Sequence, residues 1–220
     1  MQVACCVGRL HENRHSPTSI IGSIMNHRKE LAEIFRDGPQ EKGTFLSRVF
    51  GIFSEEIVRI WARDDKSPYS LLDRRPTLYR KNRRYTLDFL LKNNGKIFVS
   101  EMKCEIQFRN YKYWRLIDTQ QVQRHRKKEA FKLFLSLSRN PNSVIVKAGS
   151  RLDVAGTVLV WGAATPNGIE AVKRKFGISD VLTVESCIED LVKWNNEEYS
   201  KFLQMREQWL SSLFSNLRGI

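Results

Sequence analysis

The chain has 220 residues, 41% of them hydrophobic and 10% aromatic, enough for one domain with a sizeable core plus a terminal extension. Its 37 Lys and Arg against 24 Asp and Glu give a formal net charge of +13 and a pI near 9.8, an excess that favours polyanionic partners. No apolar run reaches transmembrane length, and the short stretch at 3–7 lacks the basic flank of a signal peptide, so no membrane association is expected and a cytoplasmic location is. The four cysteines, Cys5, Cys6, Cys104 and Cys187, have no Cys-x-x-Cys spacing, which points to thiols in a reducing compartment. Adjacent cysteines chelate poorly, so Cys5 and Cys6 with His11 and His15 make a weak zinc set.

In chain order, residues 1–17 read as irregular. Pro17-Thr18-Ser19 opens a predicted helix to about Arg36, with Ile20, Ile21, Ile24, Leu31, Ile34 and Phe35 on one face and Asp37-Gly38-Pro39 as its stop. After a break at Gly43, Thr44 caps a second predicted helix to about Ala62, with Phe45, Val49, Ile52, Phe53, Ile57 and Ile60 as its apolar stripe. This divides the chain into an N-terminal helical extension, 1–43, and a domain, 44–220. Glu56 falls within the stripe and Glu55 outside it; a carboxylate on a buried face is costly unless paired. Residues 64–76 read as loop and Thr77–Arg80 as a short strand. A hairpin follows over 84–105. Asp118 then caps a helix to Ser138, ended by Asn140-Pro141-Asn142. Residues 143–147, 157–161 and 181–185 read as strands. A short helix opens at Pro166 and stops at Gly177, and Ser186 with Glu189 suggests a capping box for the next. A terminal helix over 197–217 is expected to bury Phe202, Met205, Trp209, Leu210 and Phe214. The alternation of helices and strands implies an α/β fold, a mixed central β-sheet flanked by helices.

The hairpin is the most informative segment. Asn94-Gly95 is the preferred centre of a two-residue type I′ turn, where both residues need positive φ. Residues whose numbers sum to 189 then lie opposite each other. Leu91 meets Phe98, Phe89 meets Ser100, Leu87 meets Met102 and Tyr85 meets Cys104 on an apolar face. On the other, Asp88 faces Glu101, Thr86 faces Lys103 and Arg84 faces Glu105. Two carboxylates directly opposed repel, and a divalent cation is the simplest compensation. An alternative is a diagonal Asp88–Lys103 salt bridge on an exposed sheet face, which leaves Glu101 unexplained.

An Asp on one strand followed by Glu101-Met102-Lys103 on the next resembles the PD-(D/E)xK nuclease superfamily, the restriction-endonuclease-like fold. The likeness covers about 44–147 and lacks the family's proline, since Leu87 precedes Asp88. It implies a metal-dependent DNA endonuclease, of restriction, defence or repair type, using Mg²⁺ with Mn²⁺ as a substitute. Asp88, Glu101 and the backbone carbonyl of Met102 would hold the ion, Lys103 would stabilise the transition state or act on the attacking water, and Glu56 would be the helix glutamate of the site. Gln121 would stand near the scissile phosphate. Weaker polar candidates are Glu105, Gln107, Gln120 and Gln123.

Basic residues gather around this site, as a phosphate backbone would require: Arg74, Arg75, Arg80, Lys81, Arg83 and Arg84 before it, and Arg124, Arg126, Lys127 and Lys128 after it. Tyr111, Tyr113 and Trp114 could stack on bases or pack in the core; His125 reads as a bystander. Double-stranded DNA is the expected partner, and a homodimer would supply two sites for two strands. Two other classes fit the same residues, a non-catalytic nucleic-acid-binding protein on the same fold and a basic domain that docks an acidic protein.

Overall fold

Helix α1 (Gln40–Arg63) opens the main body of the fold, in a computed structural model that describes residues 33–34, 38–104 and 114–219. The expected helix over 18–36 and the residues 105–113 lie almost wholly outside this range. α1 begins behind Pro39, whose backbone is extended (φ −69°, ψ 157°). It therefore starts four residues before Thr44 and runs through Gly43, the expected break between two units. A glycine inside a helix costs only about 1 kcal/mol, which the packing of so long a helix outweighs. Ser54, Ile57, Val58, Ile60, Trp61 and Ala62 are buried along it, whereas Ile52 is 72% exposed and Phe45 48%. The inward face is thus rotated part-way from the expected stripe: Ile57 and Ile60 remain buried, while Phe45 and Ile52 face outward.

The sheet strands follow as β1 (Ser70–Leu72), β2 (Thr77–Arg80), β3 (Arg83–Thr86), β4 (Phe89–Asn93) and β5 (Lys96–Lys103). β1 falls in the expected loop; three residues are too few to show a periodicity. Strand β6 (Arg115–Leu116) precedes α2 (Thr119–Arg124) and α3 (Glu129–Arg139); then come β7 (Ile145–Ala148), β8 (Ser150–Leu152), β9 (Gly156–Trp161) and β10 (Ala163–Ala164). The chain closes with α4 (Pro166–Phe176), β11 (Asp180–Thr183), α5 (Val184–Lys193) and α6 (Glu197–Arg218).

A five-stranded mixed sheet, ordered β1-β4-β5-β9-β11, forms the centre. β4 is antiparallel to β1 and β5, and β5, β9 and β11 run parallel. α1, α5 and α6 cover one face, packing Ile57, Trp61, Leu191 and Phe202 on Phe89, Leu91, Val158 and Val160. α2, α3 and α4 cover the other, packing Val122, Phe131, Phe134 and Phe176 on Leu90, Val99, Leu159 and Trp161. The fold is α/β with a mixed central sheet between helices. Every residue of β9 is buried, as in a strand covered on both faces.

The hairpin register is as expected: Phe89↔Ser100, Leu90↔Val99, Leu91↔Phe98, Lys92↔Ile97 and Asn93↔Lys96. Asn94 (φ 48°) and Gly95 (φ 77°) adopt the left-handed geometry of the type I′ turn. The ladder stops at Phe89, however. Leu87 donates its N–H to Pro76 O at 2.9 Å, and β3 pairs with β2 in a second sheet, ordered β3-β2-β7-β8. The expected pairs Thr86–Lys103, Leu87–Met102 and Tyr85–Cys104 do not form, because Thr86 and Tyr85 face Thr77 and Leu78. Leu87 joins the core on the side of α3, opposite the face on which Phe89 lies. That face is apolar as well, so the buried and half-buried charges of the hairpin, Glu101 and Lys103, gather at the far end of β5, with Lys92 and Lys96 exposed near the turn.

The expected single helix over 118–138 is two. Asp118 caps α2 in a reciprocal capping box with Gln121. A 3₁₀ turn at His125–Lys127 and an extended Lys128 (φ −84°, ψ 124°) then precede α3. Thr183, not Ser186, caps α5, accepting from Ser186 N at 3.0 Å. α6 ends where expected, but Met205, Trp209 and Phe214 are between 41% and 58% exposed instead of buried.

Candidate active site

The site forms where β3 and β4 part. Asp88 stands at the bend, beyond the last pair of the β4–β5 ladder, so its main chain no longer faces β5. Its carboxylate takes over as acceptor: Met102 N donates to Asp88 Oδ2 at 2.7 Å. On the other side of the bend, Arg59 of α1 reaches the Asp88 carbonyl at 3.5 Å, with its guanidinium 5.1 Å from the centre of the Phe89 ring. Asp88 is thus anchored from both ends.

Glu101, at the penultimate turn of the pleat in β5, is only 7% exposed. Its carboxyl is pushed up to about 7, first by burial and then by the nearby Asp88 carboxylate, with which it is in hydrogen-bond reach; the Lys103 ammonium pulls the other way without prevailing. Glu101 and Lys103 stand on the same side of the strand, as residues two apart must. Lys103 Nζ donates to Glu101 Oε1 and to Met102 O at 3.0 Å, and lies 5.5 Å from the centre of the Phe131 ring. Phe131 belongs to an aromatic wall with His125 and Trp161, in which the His125 ring meets Phe131 at 5.4 Å and Trp161 at 5.6 Å, both edge-on.

The arrangement therefore brings together Asp88, Glu101, Met102 O and Lys103, four of the five expected catalytic groups. Glu56 is elsewhere. It lies in a hollow between α1 and α6 with Ile60, Glu198 and Phe202, its nearest cation being Arg63 at 4.0 Å. The rotated phase of α1 explains this. Glu55 instead bonds Arg59 at 2.8 Å and also Arg75, so Glu55 is the helix carboxylate linked to Asp88. Arg59 and Glu55 were not read from the sequence; their signal is the spacing Glu55–Arg59, i to i+4, once the buried face of α1 is known.

Gln121 is 3% exposed. Its amide accepts from Ile117 N and Asp118 N and donates to Arg115 O, so it organises the start of α2. Trp114, 2% exposed, packs edge-on against Phe50 and is a core residue, not a surface for stacking bases. His125, 7% exposed, is part of the wall beneath Lys103. Glu105, Gln107, Tyr111 and Tyr113 lie outside the described residues.

Of the basic residues, Arg74 bonds Ala148 O at 3.3 Å and Arg80 bonds Glu129 at 3.1 Å. Arg80, Lys81, Asn82, Arg83, Tyr85 and Glu129 line an open hollow at the β2–β3 turn. Glu129 is in the first turn of α3, two residues before Phe131, which underlies Lys103. The hollow and the carboxylates thus share α3 as a neighbour. Arg84, Arg124, Arg126, Lys127 and Lys128 are exposed.

Among the described residues, no three His, Cys, Asp or Glu converge as a ready cation cage. The donors that do converge are all oxygen, two carboxylates and one carbonyl, a set that suits Mg²⁺ or Mn²⁺, which take one or two carboxylates and keep several waters. A carboxylate has about four lone-pair sites, so the bonds from Met102 N and Lys103 leave acceptor capacity. No described helix is long and apolar enough to cross a membrane.

No family model matches this chain, and neither a curated protein nor a solved structure does. The structure defines an α/β domain with paired acids and a lysine at the C-terminal end of the central strand β5, where β3 and β4 part.

Proposed function

We propose that this protein is a Mg²⁺-dependent DNA endonuclease of the PD-(D/E)xK type. The observation that carries the reading is the meeting of Asp88 and Glu101 at a sheet divergence, with Lys103 bonded to Glu101. Asp88, Glu101 and Met102 O would hold the ion, which when bound supplies charge neutralisation at the phosphate and a more acidic water. Lys103, which donates to Glu101 and to Met102 O, would be the cation at hand to stabilise the negative charge added at phosphorus. The Phe131 ring beneath the ammonium and the backbone bond to Met102 limit its reach to the acids' side of the strand. Asp88 is held in register by Arg59 and Met102 N. The basic β2–β3 turn and the exposed Arg126, Lys127 and Lys128 flank the acids and suit the backbone of duplex DNA. Restriction, defence or repair would each use this chemistry.

A non-catalytic nucleic-acid-binding role draws on one specific observation, the Lys103–Glu101 ion pair, which neutralises one acid without a metal. Plasmid DNA separates the two. Wild type with Mg²⁺ is expected to nick or linearise it and to stop with chelator. Asp88→Ala and Lys103→Ala are expected to abolish cutting, with DNA binding by Lys103→Ala within a few-fold of wild type. Cutting that persists in both variants puts the active site elsewhere; binding without cutting in wild type selects the second reading.

A further inference from the structure

Helix α6 has 22 residues, about 33 Å of helix, yet only Tyr199 and Phe202 in its first two turns are buried. Beyond them Met205, Trp209, Leu213, Phe214 and Leu217 are between 41% and 73% exposed. Their spacing of four, four, one and three residues places them on one side of the helix. α1 runs antiparallel beside it, with Phe53 5.6 Å from Phe202 and Phe45 6.5 Å from Phe214, ring to ring. It extends the patch through Phe45 and Ile52, 48% and 72% exposed. These are the outward members of the stripe that sequence periodicity assigned to the core. α1 is therefore apolar on two sides, one against the sheet and one uncovered. Contiguous apolar surface of this kind marks a docking site.

We propose that this face is the seat of the chain's own N-terminal segment, residues 18–36. Three observations favour it over a second copy. The segment carries a complementary stripe, Ile20, Ile21, Ile24, Leu31, Ile34 and Phe35, at helical spacing, and the backbone of Glu33 and Ile34 is helical. Nineteen residues of helix span about 28 Å, enough to cover the exposed reach of α6. The connection is short and turned: Gly38 has φ +107°, which favours glycine, and Pro39 follows as the cap of α1. Pro39 lies six residues before Phe45, whose ring stands near Phe214 toward the end of α6. Tethering through so few residues gives an effective concentration in the millimolar range, which a second molecule does not match at ordinary protein concentrations.

Hydrogen exchange on the full chain, with sedimentation across a hundredfold range of concentration, tests this. Wild type is expected to be monomeric and to protect amides of 20–35 and 209–217. Ile24→Asp and, separately, Leu213→Asp are each expected to speed exchange in both segments at least tenfold. Amides of β5 and β9 should stay protected, which certifies that the body has folded. Because the two substitutions sit on opposite partners, loss of folding in one still leaves the other decisive. Unprotected 209–217 in wild type, or protection indifferent to both variants, overturns the proposal. Protection that grows with concentration alongside a sedimenting dimer also overturns it and assigns the face to a second copy.

Discussion

Glu101→Gln isolates the electrostatics of the site from any question of activity. The Glu101 carboxyl moves from an ordinary 4.5 to about 7 on folding, chiefly through burial. The folded protein therefore holds this proton more tightly than the unfolded chain. The resulting stabilisation is complete below pH 4.5 and is lost as pH rises through 7, after which the difference is flat. At about 1.4 kcal/mol for each tenfold change in proton affinity, the wild type loses about 3 kcal/mol relative to the glutamine variant across that window. The side chain of Glu101 is 9% exposed, so solvent screening takes little from this figure. Urea unfolding followed by tryptophan fluorescence, with chelator at half-unit steps from pH 4 to 8.5, measures it as the difference between the two proteins. Subtraction removes groups whose surroundings the substitution leaves unchanged. Asp88→Asn should shrink the fall, because the Asp88 charge is one of its causes. A flat difference, or one that grows with pH in the wild type's favour, refutes the reasoning.

Other outcomes follow from the same geometry. Mg²⁺ added at pH 8 is expected to raise the urea midpoint of wild type, and to do so less at pH 6, since ion and proton compete for Glu101; no rise in midpoint at either pH counts against the cation site. Glu55→Gln is expected to lower plasmid cutting at least tenfold and Glu56→Gln less than threefold, because only Glu55 bonds Arg59; the reverse order returns the helix glutamate to Glu56. Lys81→Ala with Arg83→Ala should reduce the slope of log affinity for duplex DNA against log salt by about two, roughly one per phosphate contact, whereas an unchanged slope removes the β2–β3 turn from the interface. Phe131→Ala empties a fully buried position and is expected to cost about 3–5 kcal/mol in urea unfolding; a cost under 1 kcal/mol means the wall beneath Lys103 is not packed as described.

Much of the central sheet is legible in the sequence because its signals are local. Asn94-Gly95 fixes a register that a one-residue slip would turn inside out, and Gly177 and Asp118 mark helix ends by their own chemistry. The β-branched run of β9 reads as a buried strand for the same reason. The errors arise where a partner decides. α1 has apolar residues on two sides, so its periodicity does not identify the side that meets the sheet; that choice moves Glu56 out of the site and Glu55 toward it. The outward stripe of α6 looks like core until its surroundings are known. Gln121 is polar and near the site in sequence, but the carbonyl of Arg115 and the amides of Ile117 and Asp118 claim it first.

The split between β3 and β4 shows why the acids converge at all. A continuous hairpin from Arg84 to Glu105 would set Asp88 directly across from Glu101 in a solvated ladder, with repulsion and no fixed geometry. Instead β3 is drawn away by β2, and the chain turns at Leu87 and Asp88. The turn leaves Met102 N without a main-chain acceptor, and the Asp88 carboxylate fills that role at 2.7 Å. A carboxylate fixed by one amide keeps lone pairs for a second partner, and its neighbour Glu101 is too buried to relax into water. The same departure leaves Lys103 beyond the β4 ladder, over an aromatic ring and not across from a strand. There its ammonium donates to both Glu101 and Met102 O, so it offsets part of the charge that two neighbouring acids bring to one end of β5.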